Sequence, residues 1–151
     1  MKYLDLVNLV KGLIDEHDFI ETYGYGDISD ISFPDSEDAP DYVYAFLNPA
    51  GQSIAERQFS ATFNLIVMEQ VNEGDDSEVE GQSLCIAIIQ DILAQLYKRT
   101  EDGYELVDVS FPVSIEVFKE RFQDDVVGAT ATVTINYGKA LDGCNNPYNN
   151  S

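Results

Sequence analysis

Two segments of the chain repeat apolar residues at the three- and four-residue spacing of an amphipathic helix. The first covers residues 3–14 and predicts a short helix. The second predicts a helix from about residue 78 to residue 98, about 30 Å long, which is enough to cross a sheet. Its apolar positions are Leu84, Ile88, Ile89, Ile92, Leu93 and Leu96. Ser77 followed by Glu80 matches a capping box, so this pair is predicted to cap the second helix.

Other segments alternate apolar and polar residues, which is the pattern of strands with one buried face. Residues 42–47 form an apolar run, residues 58–71, 107–118 and 126–137 show the alternation, and every odd position of 107–118 is apolar. The first two are predicted to form a hairpin whose loop is NPAGQS, residues 48–53, because Pro49 and Gly51 favour a turn. A shorter strand is predicted at residues 28–33, inside an acidic loop.

The order of these elements predicts an α+β domain, in which an antiparallel sheet buries one face under two helices. We assign residues 1–141 to this single domain and residues 142–151 to an Asn-rich C-terminal tail. Strands of more than ten residues exceed the usual length, so hairpin and loop extensions are expected to project beyond the sheet. Their free edges and polar faces would be available to other subunits.

Charge narrows the possible partners, since 28 acidic residues stand against 8 basic ones and the net charge is −20. Arg57 is the only lysine or arginine between Lys11 and Lys98. Nucleic-acid binding needs a basic surface, so we expect this surface to repel DNA. No apolar run is long enough for a membrane helix or a signal peptide, which predicts a protein without a membrane segment that is made in a cytoplasm.

Motifs for catalysis are missing from the sequence, and we predict no enzymatic activity and no cofactor. The glycine cluster Tyr23–Gly26 lacks the lysine and the following helix of a nucleotide-binding loop, and is interpreted as a turn. His17 is the single histidine, which leaves too few His and Cys residues grouped for a zinc site. The acidic loops do not match the spacing of a calcium loop. A catalytic carboxylate pair in a cleft stays an open alternative.

The element order resembles that of the tail-terminator and tail-completion proteins of tailed bacteriophages over residues 1–137. It consists of a leading helix, an acidic loop, a hairpin ending in QFSATFNLIVMEQV, a long helix and a strand pair ending in GATATVTINY. The resemblance implies a structural virion protein that forms a ring, a hexamer or dodecamer, at the neck or the head-proximal end of the tail. It also implies contact with neck, portal or tail-tube proteins, with DNA passing nearby but not specifically bound.

Carboxylates in two loops, residues 27–41 and 69–80, are the candidate site of such a ring. They are expected to face the lumen or a neighbouring ring, because a negative wall lets phosphates pass without binding. The candidates are Asp27, Asp30, Asp35, Glu37, Asp38, Asp41, Glu73, Asp75 and Asp76. Three alternatives stay open: a collar protein stacked on the portal of a short-tailed phage, an acidic adaptor or inhibitor that docks on a basic partner, and acidic loops that only keep the protein dissolved.

Overall fold

The computed structural model describes residues 2–31, 40–71, 75–101, 107–121 and 125–138. Two helices and six strands follow one another in these ranges. The helices are α1, Tyr3–Asp15, and α2, Asp75–Glu101. The strands are β1, Thr22–Tyr25; β2, Tyr44–Ala55; β3, Gln58–Val71; β4, Asp108–Val109; β5, Ser114–Arg121; and β6, Asp125–Gly138. The tail predicted at 142–151 lies outside the described residues, so the domain boundary stays a prediction.

The strands form one mixed sheet in the order β1-β2-β3-β6-β4, and β5 pairs with β6 on the same side as β4. β1 runs parallel to β2, while the other pairs are antiparallel. The predicted α+β class is confirmed. Strands β2 and β3 continue past the end of β1 as a hairpin, and residues 50–58 of that hairpin are exposed. We call residues 50–59 the arm. β6 accompanies β3 as far as the Phe59–Gly138 pair, so the predicted extension beyond the sheet is limited to residues 55–58 at the hairpin tip.

Both helices bury their apolar stripes in one cluster with one face of the sheet, which we call the helix face. α1 contributes Leu6, Val10, Leu13 and Ile14, and α2 contributes Cys85, Ile88, Ile89, Ile92, Leu93 and Leu96. The odd-numbered residues of β3 from Ala61 to Val67 lie beneath them, as the alternation predicts. This burial supplies the main stabilisation, at roughly 25 cal/mol per Å² of apolar surface.

Four predicted boundaries are wrong, each for a local reason. The NPAGQS segment is part of β2, with an extra residue between Pro49 and Gly51, and the turn lies at Glu56–Arg57 instead. A bulge is a place where a strand tolerates a proline, which has no backbone N–H to donate. Residues 107–118 form two strands, because Pro112 lies in the break between β4 and β5.

The other two corrections concern the acidic loop and the start of α2. Residues 28–30 form a 3₁₀ turn and not a strand, and the Asp27 backbone N–H donates to Asp30 Oδ2 across this turn at 3.1 Å. The helix α2 begins at Asp75, so Ser77 lies inside its first turn rather than at its cap. The interpretation of Tyr23–Gly26 as a turn is also wrong, because residues 23–25 belong to β1 and only Gly26, with φ +140°, lies at the bend after the strand.

Candidate assembly interface

The sheet face opposite the helices, which we call the open face, carries a polar half built from hydroxyl and amide side chains. The Ser60 hydroxyl donates to Asn136 Oδ1 at 2.7 Å, and the hydroxyls of Thr62 and Thr134 lie 2.9 Å apart. Asn64 Nδ2 donates to Asn48 Oδ1 at 3.0 Å. These side chains belong to three adjacent strands and are partly or largely buried while uncharged. The polar half is therefore an ordered neutral surface.

An apolar cluster fills the other half of the open face. Tyr44, Phe46, Ile66, Met68 and Val126 are buried there. Ile31, Tyr42 and Phe118 pack against this cluster and are partly buried. The sequence pattern did not predict a second cluster, because Tyr44, Phe46, Ile66 and Met68 lie at positions that the alternation assigns to the exposed face.

Two glycines make room for the rings of this second cluster. A Cβ at Gly128 would lie 2.5 Å from Phe118 Cζ and 2.4 Å from the Val67 carbonyl oxygen. A Cβ at Gly24 would lie 2.6 Å from Phe46 Cδ2. Each glycine therefore lets an aromatic ring of the neighbouring strand rest directly on the backbone, as the cross-strand pairs Gly128–Phe118 and Gly24–Phe46 require.

The arm is the most exposed part of the described sheet. Residues 50–58 are exposed on both faces, and Ile54 is 70% exposed to solvent. At its base, the Tyr137 hydroxyl donates to Gln52 Oε1 at 2.9 Å, which ties the arm to β6. Because Ile54 is so exposed, its contacts within its own chain stabilise the fold little. An apolar residue at such a position suits a contact with another molecule.

Acidic residues gather at the end of the sheet opposite the arm, which we call the acidic end. β2 starts there, β3 finishes there and α2 starts there, since Tyr44 pairs with Met68 and Val71 pairs with Asp125. Its carboxylate residues are Asp41, Glu69, Asp75, Asp76, Glu78 and Glu80. Lys119 forms an ion pair with Glu78. Burial raises the pKa of Glu69, and a hydrogen bond from the Gln70 backbone N–H opposes that shift.

Some of the predicted carboxylates can be placed. Asp27 and Asp30 meet in the 3₁₀ turn beside the open face, close to Asn48, whose Nδ2 donates to the Gly26 carbonyl at 2.9 Å. Asp41 is exposed at the acidic end, and its carbonyl accepts a hydrogen bond from the Thr22 hydroxyl at 2.7 Å. Only Asp41, Asp75 and Asp76 of the predicted set therefore lie at the acidic end among the described residues.

The remaining predicted positions stay predictions. Asp35, Glu37, Asp38 and Glu73 lie outside the described residues, and for Asp75 and Asp76 the described part is the backbone. Sequence analysis missed the hydrogen bonds of Asn48, Asn64 and Asn136 on the open face. The signal was present for Asn64 and Asn136, which occupy polar positions of alternating strands, whereas Asn48 was assigned to the hairpin loop.

His17 lies between the two helices, where catalysis would need a free ring nitrogen. Its Nε2 is 2.9 Å from Asp91 Oδ2 on α2, and the Phe19 backbone N–H donates to its Nδ1 at 3.2 Å. Because Nδ1 accepts this hydrogen bond, Nε2 is the nitrogen that carries a proton and donates to Asp91. Both nitrogens are engaged beside an open depression of about 500 Å³, so the contact ties α1 to α2.

Metal and membrane sites were sought in the same described ranges. There, no three His, Cys, Asp or Glu side chains are grouped as a metal site requires. Of the helices that the structure describes, neither is long and apolar enough to cross a membrane. Cys85 is buried, and burial raises the pKa of its thiol to about 12.

Comparison with known proteins adds no family to these observations. The chain matches no protein-family model, and none of the curated proteins matches it at a significant level.

Proposed function

We propose that this protein is a structural subunit of a tailed-bacteriophage virion, which forms a ring of the tail-terminator or tail-completion type at the neck. In this role it forms part of the channel through which DNA passes, and it catalyses no reaction. One observation carries the proposal: acidic residues lie on the chain segments that meet at one end of the sheet, and a neutral exposed arm lies at the other end.

The two ends suit two different neighbours. At the arm end lie Arg57 in the hairpin turn and Lys98 and Arg99 near the end of α2, which precedes β4. The acidic end carries the carboxylates described above. Copies that point the same way around an axis would therefore form a ring with one acidic rim and one mixed-charge rim. A ring in the neck needs such unlike rims, because the head-side and tail-side partners differ.

The net charge fits a conduit that DNA crosses without being held. With a charge of −20, each subunit repels phosphate at long range. The open face adds hydroxyls and amides that are already paired with one another, as with Thr62 and Thr134. Sites for specific DNA readout would require free donors and basic side chains at that surface.

Sizing of the purified protein by mass photometry and negative-stain microscopy tests this proposal. Because like charges of this size oppose assembly, measurements at about 20 mM and about 500 mM NaCl are both needed, and salt should favour the ring. We expect closed hexamers or dodecamers with a central hole at the higher salt concentration. A protein that stays monomeric or dimeric at every concentration would contradict the proposal.

The acidic adaptor is the alternative that the same preparation can reveal. It predicts a monomer or dimer that binds a basic protein tightly through the acidic end, with affinity falling as salt rises. An Asp75→Asn and Asp76→Asn double variant should weaken such binding, whereas a ring would keep its subunit number. Subunit number and salt response therefore separate the two functions.

A further inference from the structure

Two strand edges at opposite sides of the sheet lack a strand partner in the part of the chain that the structure describes. β1 pairs with β2 only as far as Leu47. On the outer edge of β2, residues 50–55 of the arm therefore have no pairing with β1. β5 pairs with β6 on one side, and its other side faces no described strand, although Gln82 Nε2 on α2 donates to the Phe118 carbonyl at 3.3 Å. The edges without a strand partner are therefore residues 50–55 of β2 and residues 114–117 of β5, and such edges can add a short strand from another molecule.

Both edges lie in segments without net charge. Residues 51–60 carry one acid, Glu56, and one base, Arg57. Residues 114–121 carry two acids and two bases. The whole net charge of −20 therefore belongs to the rest of the chain. Two copies of so acidic a protein approach each other at least electrostatic cost through these two segments.

Exposed apolar side chains accompany both edges. Ile54 on the arm is 70% exposed, and Val117 on β5 is 51% exposed. Near the start of β5, Phe111 is 54% exposed and lies edge-on against the ring of Tyr97, with 6.1 Å between the ring centroids. Charged residues usually protect edge strands from pairing. In β5 the charged residues lie mainly in the second half, at Lys119, Glu120 and Arg121, and Lys119 forms the ion pair with Glu78 on α2. The stretch from Ser114 to Val117 holds the single charge of Glu116.

We infer that the ring closes by strand addition, in which the arm of one copy pairs its free β2 edge with the free edge of β5 in the next copy. This inference rests on the ring proposed above and names its contact. The two edges lie on opposite sides of the sheet, so the contact is heterologous and can repeat around an axis. β2 and β5 run in opposite directions, so copies that point the same way form an antiparallel pair, which is the more stable pairing.

Strand register also suits a closed ring. The registers across β3 and β6 relate positions on β2 to positions on β5. Along the strand direction, the free part of β2 is offset from β5 by about six residues, or about 20 Å. The four strands from β2 to β5 span a similar width, about 19 Å at the usual spacing. Joining the two edges therefore tilts the strands by about 45° from the ring axis, near the 35–45° that closed barrels adopt.

Directed cross-linking tests the contact. In a Cys144→Ser background, Ser53→Cys and Ser114→Cys place one thiol on each edge, and buried Cys85 can stay. A short bis-maleimide at about 500 mM NaCl should convert the double variant into a ladder of multimers that ends at the ring size. Neither single variant should form dimers, and Ser53→Cys combined with exposed Asn8→Cys on α1 should form no ladder. Dimers of the Ser53→Cys single variant would show arm-to-arm contact and overturn the inference.

A second pair of variants tests the energetics without cysteines. Ile54→Lys and Val117→Lys should each raise the protein concentration needed for half-assembly by at least about tenfold. Leu4→Lys is the matched control, because Leu4 is 67% exposed on α1 and the substitution changes the charge equally. The control should shift that concentration by less than about twofold, through its charge alone.

The outcomes separate the contact from the function. Rings that persist in Ile54→Lys and give no arm-to-β5 ladder would overturn the strand addition while leaving the ring protein intact. Absence of rings in the unmodified protein at both salt concentrations would overturn the proposed function and this contact with it. A ladder together with weakened assembly in both lysine variants supports the contact.

Discussion

At the scale of single residues, Gly81 sets how closely α2 approaches the sheet. A Cβ at this position would lie 2.6 Å from Val127 Cγ2 and 2.9 Å from Val71 Cγ1, both on short, stiff side chains. Gly12 in α1 has no such neighbour within 4 Å. We therefore expect Gly81→Ala to lower the free energy of unfolding by about 1–3 kcal/mol through overpacking. Gly12→Ala should raise it by roughly 0.5–1 kcal/mol through better helix propensity.

Urea denaturation followed by circular dichroism measures both glycine variants, with the slope of the transition checked for change. The two variants carry the same chemical substitution in the two helices, so each is the control for the other. Shifts of the same sign in both would mean that helix propensity, and not the close packing of α2, decides the outcome at Gly81.

Glu69 is a second residue with a measurable effect, since its carboxyl is partly buried near the start of α2. Burial raises its pKa in the folded protein above the unfolded value. The folded state therefore binds the proton more tightly, and stability is lost as pH rises through the unfolded pKa towards the folded one. Glu69→Gln removes the buried charge, so we expect a higher urea midpoint than the unmodified protein at pH 7. The difference should shrink as pH falls from the raised pKa towards the ordinary value for glutamate, about 4.3.

Loss of one negative charge from an acidic chain could by itself stabilise the Glu69→Gln variant. Glu21→Gln removes the same charge from an exposed position before β1 and serves as the control. A midpoint gain at pH 7 that is equal in both variants would assign the effect to net charge and refute the role of burial at Glu69.

At the scale of elements, β5 keeps the alternation that the sequence predicts but loses burial towards its end. Every odd residue of 107–118 was expected to face one core: Val107 and Val109 are buried in it, and Val113 and Ile115 pack against it and are partly buried. After the break at Pro112, however, Val117 is half exposed at the free edge, and Phe118 packs into the second cluster on the open face. We expect Phe118→Ala to cost about 2 kcal/mol, less than a fully buried phenylalanine. Val117→Ala should change the free energy of unfolding by less than about 0.5 kcal/mol.

Denaturation of these two variants at low protein concentration, where no ring forms, reads out the stability of the monomer. The two residues are neighbours on one strand and face opposite sides of the sheet. If Val117→Ala proved the more costly of the two, the packing of Phe118 in the second cluster would not contribute to stability as the structure indicates.

The helices and the long strands could be predicted because their patterns repeat over many residues. Residues 58–65 alternate without a break, and the spacing from Leu84 to Leu96 identifies the buried stripe of α2. Shorter features depend on partners that are distant in sequence. β1 is only four residues long and contains Gly24, whose place in the sheet is explained by the Phe46 ring on the adjacent strand. Pro49 misled the prediction because a single bulge keeps it within β2.

For the whole molecule, the sequence supplied the amount of charge, and the fold supplied its distribution. The acidic loops could be recognised from the run of carboxylates between Lys11 and Lys98. Their position at one end of the sheet follows from the strand pairing, with Val71 opposite Asp125. The same pairing places the neutral segments at two opposite edges. The composition of these segments alone could not show that they form the two edges of the sheet without a described strand partner.

Such an excess of like charge should make the stability of the monomer depend on salt. Self-repulsion destabilises the compact state, and raising NaCl from about 20 to about 500 mM shortens the Debye length from about 20 Å to about 4 Å. We expect the melting temperature to rise by several degrees over this range. A triple variant that neutralises exposed acids after α1, Glu16→Gln, Asp18→Asn and Glu21→Gln, should melt higher at low salt and gain less from added NaCl. Differential scanning calorimetry on dilute protein would show this, and an equal salt gain in both proteins would mean that specific contacts, and not net charge, limit stability.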